Sequence, residues 1–243
     1  MDFNNMFGFI AQPLSYLLTG LYDFANDYGI ALILFTLIVR GCLFPLYATQ
    51  IKSQLKMATV QPKIKEIQKK YAHDKEEMNR RMMELYRKEN FNPASGCLPL
   101  LIQFPILIGL YTLLRNPLNF IPEDAVTMIL AIHEKFLWIQ DLSQPDQWIL
   151  PIMAGVTTFL SFTLTQMNTP ETGGMAGAGQ MQGMMKMMKY FFPVMIVWMG
   201  HTFPAGLTLY WFIGNLFTIG QYQILTRWRK KLKTMMDEGK GKV

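Results

Sequence analysis

The stretch GIALILFTLIVRGCLFPLY, residues 29–47, decides the fold. Apart from Thr36, Arg40 and the closing Tyr47, it holds only apolar residues, glycine, cysteine and proline. A membrane helix needs about 20 largely apolar residues, so this run is long enough to be one. Arg40 stands near its middle, with about ten apolar positions before it and seven after. That is too deep for easy escape of the side chain to either surface. An arginine at a helix centre costs roughly 3 kcal/mol on insertion scales, which makes Arg40 a candidate functional residue from the outset.

Three more apolar stretches follow. Gly96–Leu114 reads GCLPLLIQFPILIGLYTLL, and Trp148–Met167 reads WILPIMAGVTTFLSFTLTQM. Tyr190–Leu225 carries no acid or base apart from His201 and is too long for a single span. Phe203, Pro204, Ala205 and Gly206 break it near its middle, because proline cannot continue a helix interior and glycine permits the turn. The sequence thus predicts five spans. Composition agrees: 51% of the 243 residues are hydrophobic and only 16% are charged. Soluble domains carry about a quarter charged residues.

Basic residues orient the spans. Before the first lie Asp2, Asp23 and Asp27 and no Lys or Arg. Of the 23 Lys and Arg, 20 fall in the connection after span 1, the one after span 3 and the tail, and only Arg115 and Lys135 fall in the second connection. The positive-inside rule then places the N-terminus outside and the C-terminus in the cytoplasm. The net charge of +6 is explained by this retention, without specific nucleic-acid recognition. Trp138 and Trp148 suit an outer aromatic belt and Trp228 an inner one.

The expected organisation begins with an external amphipathic helix at 1–28, in which Phe7, Ile10, Leu14, Leu17, Leu18 and Leu21 recur at helical spacing and Pro13 starts or kinks the helix. Its lack of a basic start argues against a secretory signal. Span 1 covers 29–49, a cytoplasmic helical hairpin 50–94 and span 2 residues 95–115. An external loop at 116–147 leads to span 3 at 148–167. A Gly/Met-rich cytoplasmic loop at 168–187, flexible through its glycines, leads to span 4 at 188–203. Span 5 covers 204–225, and a basic cytoplasmic tail ends the chain at 226–243. In the hairpin Ile64, Ile67 and Tyr71 form one stripe and Met78, Met82 and Leu85 another. Asp74 and Glu77 between them make a capping box. Cys42 and Cys97 sit in or beside apolar runs and read as buried thiols.

No span contains Asp or Glu. Stabilising Arg40 therefore falls to water, hydroxyls, carbonyls or aromatic faces, and a water-filled cavity within the bilayer is the natural arrangement. Thr36, one turn before Arg40, shares its face. Gln103, Thr157, Ser161, Thr165, Gln166, Tyr210, Trp211 and Asn215 are further candidates for lining that cavity. Interhelical hydrogen bonding is the plainer role for Gln103, Thr157 and Asn215. Enzyme signatures are missing: there is no H-E-x-x-H, G-x-S-x-G or P-loop, and His73, His133 and His201 have no ligand spacing. No catalytic residue, metal or cofactor is expected.

Several segments in order resemble the YidC family of membrane protein insertases, which includes mitochondrial and chloroplast relatives. They are GIALILFTLIVR, then QPKIKEIQKKYAHDKEEMNRRMMELYRKENFNPASGCLPLLIQFPILIGLY, then FLWIQDLSQPD, and finally FPAGLTLYWFIGNLFTIGQYQIL. The resemblance implies an all-α integral membrane protein of the bacterial cell membrane, with five transmembrane helices around a hydrophilic groove. That groove opens to the cytoplasm and to lipid. Arg40 and Thr36 match the family's groove arginine and threonine, Trp211 matches an aromatic position facing the substrate, and Gln166 is a candidate for a groove glutamine. The implied partners are nascent membrane proteins, the ribosome, the Sec translocon and the lipid bilayer. The additional N-terminal span and large periplasmic domain of Gram-negative members have no counterpart here, as in the short Gram-positive form. That form commonly begins with a lipidated cysteine, and no cysteine precedes Cys42. A small anion channel or transporter, with Arg40 as the anion site, is the alternative, although no internal repeat supports it. An assembly chaperone that holds membrane subunits without inserting them is a third reading.

Overall fold

The computed structural model of the chain describes residues 3–89, 98–115, 119–120, 126–166 and 178–240. These are helical throughout, except for turns and one isolated bridge pairing Phe136 with Ile139. Helix α1 (Phe3–Ala25) runs through Pro13. Its apolar face does not lie open: Leu14, Leu17, Leu18 and Leu21 pack into the main core. Ile10 sits against Gly109, where a Cβ would come within 2.8 Å of its Cγ2. The opposite face of α1 exposes Phe9, Tyr16 and Phe24.

Asn26, at φ 51°, turns the chain into α2 (Tyr28–Cys42). A short polar side chain tolerates that left-handed conformation. The first amides of α2 are satisfied by two carboxylates: Asp27 accepts from Ile30 N–H at 2.8 Å and Glu134 from Tyr28 N–H at 3.1 Å. The Tyr22 hydroxyl donates to the other oxygen of Glu134 at 2.9 Å, tying α1 to the same acid. Gly29 is where Phe136 lies against α2, and a Cβ there would overlap the Phe136 ring.

Helix α2 ends earlier than the apolar run does. Pro45 has no N–H to offer the carbonyl of Gly41, and its ring disfavours a straight continuation. The chain steps over Leu43 and restarts as α3 (Phe44–Lys70), with Pro45 in its first turn, where a missing donor costs nothing. The run 29–47 is thus divided between two helices. Among the described residues no helix is long and apolar enough to cross a membrane.

The remainder of α3 and α4 (Lys75–Lys88) form a hairpin with a core of its own, made by Val60, Ile64, Met78, Met82 and Leu85. The Asp74 carboxylate accepts from Glu77 N–H at 3.0 Å and caps α4. Lys63 and Glu89 pair across the hairpin at 2.7 Å.

Helix α5 (Leu98–Arg115) packs on α1, and α6 (Val126–Ala131) is a short helix within the following connection. The Asp146 carboxylate accepts from Leu150 N–H at 2.7 Å and starts α7 (Ile149–Gln166). Helix α8 spans Ala178–Gly200, so residues 178–187 of the expected flexible loop are helical. Methionine, glutamine, lysine and alanine are good helix formers, and they outweigh the two glycines here. Residues 168–177 of that loop lie outside the described residues.

The chain turns at 201–204 and continues as α9 (Ala205–Lys240), which carries the apolar stretch straight into the basic tail. The first amides of α9 are received by the connection between α6 and α7: Ala205 N–H donates to Gln144 O and Gly206 N–H to Leu142 O, both at 2.9 Å. Helices α7, α8 and α9 pack together, with α2 against α9 and α1 against α2 and α5. Tyr28, Leu32, Phe35, Leu110, Leu113, Leu142 and Tyr210 make the centre of the main core.

Candidate functional site

Because α2 stops at Cys42, Arg40 stands in its last turn rather than in the middle of a helix. Partial negative charge gathers on the carbonyls there, and a cation is favoured. The residue is 7% exposed, and its side chain turns inward onto α9. Its guanidinium lies on Gly214: a Cβ at that position would be 2.5 Å from Nη2, 2.9 Å from Nε and 3.0 Å from Cζ. Only glycine leaves room for this approach.

Thr36 is fully buried one turn before Arg40, and its hydroxyl donates to Leu32 O at 2.7 Å. Tyr210 is one turn before Gly214 on α9. Its ring lies 6.3 Å from that of Phe35, and its hydroxyl accepts from Gln103 Nε2 at 3.0 Å. Arg40 therefore meets Gly214 between α2 and α9, and one turn earlier on these helices lie Thr36 and the Tyr210–Gln103 pair that joins α9 to α5. Burying an amide, a phenol and a guanidinium among Leu and Phe side chains requires that they be hydrogen-bonded, which makes this junction polar by construction.

Trp211 faces elsewhere, being about 100° further around α9. Its indole N–H donates to Thr158 Oγ1 at 2.9 Å, and Asn215 Nδ2 donates to the same oxygen at 2.7 Å. The ring lines a cleft of about 240 Å³ between α5, α8 and α9, with Phe104, Leu107, Tyr111, Ile196 and Met199. On α7, Thr157 donates to Met153 O at 2.8 Å, and Ser161 is buried. Gln166 ends α7, and its side chain and that of Thr165 lie outside the described residues. The candidates thus divide into a polar junction at Arg40 and an apolar cleft at Trp211, on two faces of α9.

Gly214 and Thr158 were not singled out in the sequence. Gly214 lies one turn beyond Tyr210, and a glycine on the helix facing a buried arginine is the signal that finds it. Thr158 is hidden in a run of hydroxyl residues, any of which suits a helix interior by bonding back to its own carbonyls.

The far end of the bundle holds a second polar group. His133 Nδ1 is 3.1 Å from Asp141 Oδ2 and 3.0 Å from Ser143 Oγ. Burial raises the Asp141 carboxyl pKa, but hydrogen bonds from Ser143 and His133 outweigh it, and the net shift is downward from 3.8. Both partners meet the same ring nitrogen, so this is a loop clasp rather than a nucleophile relay, which needs both nitrogens. A separate open depression of about 290 Å³ is lined by Asp146, Trp148 and His201. Among the described residues no three His, Cys, Asp or Glu side chains gather into a metal site.

The chain is similar to known proteins over most of its length. It is 40% identical over 220 residues to "Membrane protein insertase YidC 2" of Listeria innocua, covering 88% of this chain and 69% of that one. It is 40% identical over 225 residues to "Membrane protein insertase YidC" of Aeromonas hydrophila, covering 92% of this chain and 37% of that one. Its fold is similar to that in the "Active YidC insertase crystal structure with the first transmembrane domain resolved", with a TM-score of 0.60 and 30% identity. That match covers 90% of this chain and 46% of the other. The family model described as "60Kd inner membrane protein" matches residues 20–233, and the chain belongs to that family.

Proposed function

We propose that the chain is an insertase of the bacterial cell membrane, which receives hydrophobic segments of nascent membrane proteins and releases them sideways into lipid. The observation that carries this reading is Arg40, a residue 7% exposed inside the helix pack, its guanidinium laid on Gly214. A cation kept there at a cost of several kcal/mol suits a site that meets negative charge part-way across a bilayer. The acidic tail of an incoming segment is drawn towards Arg40, which lowers the cost of moving it. The apolar segment then partitions into lipid through the hydrophobic effect. No nucleotide is required for that step.

The outward faces of the helices support a lipid surround. Helix α7 exposes Ile149, Ile152, Val156, Phe159 and Leu160 while burying Thr157, Thr158 and Ser161. This is the reverse of a soluble helix, whose apolar face turns inward. Helix α8 likewise exposes Phe191, Val194 and Trp198, and α2 exposes Ile30, Leu37 and Ile38. An apolar surface of that extent needs a partner, and lipid supplies one for several helices at once. Lys189 lies 5.6 Å over the Phe159 ring and 5.4 Å over that of Tyr190, at the basic edge of this surface.

In this reading five spans cross the membrane with the N-terminus outside. The first is shared between α2 and the start of α3, and the last two are the end of α8 and the start of α9. The α3–α4 hairpin and the basic end of α9 stand in the cytoplasm. There they meet the ribosome and the nascent chain, with the Sec translocon as a neighbour in the membrane. Thr36, Tyr210 and Trp211, with Gln166, line the path that the substrate follows.

The test is insertion of a single-span substrate with an acidic tail into proteoliposomes holding the purified chain. Arg40→Ala is expected to reduce insertion, and Arg40→Lys to retain most of it, because charge matters more here than a bidentate fork. Full insertion of the acidic substrate by Arg40→Ala would overturn the electrostatic step.

A further inference from the structure

Thr158 lies on α7, one helix away from the Arg40 junction, and is 1% exposed. Its hydroxyl has one proton to give and two lone pairs to fill. The proton goes to Ala154 O at 2.6 Å. The lone pairs take Trp211 Nε1–H at 2.9 Å and Asn215 Nδ2–H at 2.7 Å. All three capacities are therefore filled. Trp211 and Asn215 are one turn apart on α9, so a single oxygen of α7 holds two successive side chains of α9.

The consequence lies in what the tie does to the indole. Trp211 has one polar atom, and it is anchored towards α7. The ring edge that remains is free to line the cleft with Phe104 and Leu107 of α5 and with Ile196 and Met199 of α8. Phe192 closes one side of the ring at a centroid distance of 5.7 Å. Two dihedral angles orient a tryptophan side chain, and the hydrogen bond together with the Phe192 contact restrains both. Without the hydroxyl, the N–H has reason to turn towards the cleft and carry a polar atom into an apolar surface. Among the described side chains of the cleft's lining only Tyr111, Thr208 and, weakly, the Met199 thioether could take that donor.

We infer that Thr158 is a positioning residue, which fixes the apolar face of Trp211 towards the cleft and so sets that cleft's affinity for apolar segments. The inference rests on the insertase reading for its functional half and on geometry alone for its structural half. Neither Asn215 nor Trp211 needs to touch Arg40 for it to hold. The effect is expected to grow with substrate hydrophobicity and to be independent of tail charge, in contrast to Arg40.

The experiment uses the full chain in lipid nanodiscs with nitrogen-15-labelled tryptophan. The Trp211 indole resonance is assigned by its loss in Trp211→Phe. Its proton is expected to exchange slowly with deuterium in the parent and in Thr158→Ser, which keeps the hydroxyl, and fast in Thr158→Val, which keeps the shape and loses it. In proteoliposomes Thr158→Val is expected to lower insertion of a strongly apolar, neutral-tailed substrate by roughly threefold to twentyfold, the factor that one membrane hydrogen bond represents. Thr158→Ser is expected to restore it. A slow indole proton in Thr158→Val would overturn the tie itself. A fast proton with unchanged insertion, while Trp211→Ala impairs insertion, would overturn the positioning role and leave the insertase reading standing. Unchanged insertion in both Trp211→Ala and Arg40→Ala would overturn that reading instead, and the functional half of the inference with it.

Discussion

Gly214→Ala moves the Arg40 charge without removing it. The new Cβ would stand 2.5 Å from Nη2 and 3.0 Å from Cζ, against an ordinary contact of about 3.5 Å. The guanidinium must therefore retreat by roughly 1 Å. It is the end of a flexible chain, so α2 itself need not shift. Two stability effects then oppose each other. Alanine in place of glycine favours α9 by about 1 kcal/mol, and an off-rotamer arginine costs about 0.5–1.5 kcal/mol. Net stability should stay within about 1 kcal/mol of the parent. Function should not. A carboxylate about 4 Å from the guanidinium gains roughly 4 kcal/mol at an effective dielectric of 20, and about 0.8 kcal/mol less when 1 Å further away. That difference is a factor of about four in occupancy. Proteoliposome insertion of a single-span substrate is the assay, run with an acidic and a neutral tail. The acidic substrate should insert about fourfold less well and the neutral one unchanged. Arg40→Lys in the same background should recover part of the loss, because an ammonium lacks the planar fork that meets the Cβ. Parent-like insertion of the acidic substrate by Gly214→Ala, alongside a clear defect in Arg40→Ala, would refute the claim that the position of the charge matters.

Two further outcomes follow from local packing. Ile64→Ala opens the α3–α4 hairpin core, where Ile64 is fully buried, and should weaken it by about 2–5 kcal/mol. Amide exchange should accelerate in α3 beyond Val60 and in α4 and stay unchanged in α7 and α9, whose core is separate. For Asp141 the folded carboxyl lies below 3.8, so it contributes stability that is present above that value and lost as pH falls through the lower folded pKa. Thermal unfolding followed from pH 6 to pH 2 should show this loss, and Asp141→Asn should flatten it.

The legible parts of the fold were those in which one residue type has one job. Asp74 followed by Glu77 announces a helix start, and the Asp74 carboxylate takes the Glu77 amide. Pro204 and its neighbours announce a break, and the chain turns at 201–204. The stripes at Ile64 and at Met78, Met82 and Leu85 meet because each occupies a single helix face. The Gly/Met-rich segment misled for the opposite reason. Its glycines suggested flexibility, yet from Ala178 onwards the residues between them are strong helix formers, and α8 begins there. In α1 the periodicity was plain but its destination was not. An apolar stripe cannot tell lipid from protein, and Gly109, which lets Ile10 approach α5, is far away in sequence.

The site shows the same division more sharply. Arg40 was conspicuous because an arginine in an apolar run is costly wherever it ends. Its setting was not conspicuous, because it depends on where α2 stops. Pro45 interrupts the helix five residues beyond Arg40, and that moves the guanidinium from a helix middle, where nothing offsets its charge, to a last turn, where the carbonyl ends do. Gly214 supplies the space and Tyr210 with Gln103 a polar pair one turn earlier on α9, all from helices that the sequence around Arg40 does not mention. The arrangement separates two tasks on one helix. In the proposed mechanism the face of α9 at Gly214 lies against the Arg40 charge, which answers to the tail of a substrate, and the face about 100° away presents Trp211 to its apolar segment. A substrate with both features can engage α9 on two sides at once. Changes at Gly214 and Thr158 should accordingly be additive for such a substrate and separable for substrates that carry only one of the two features.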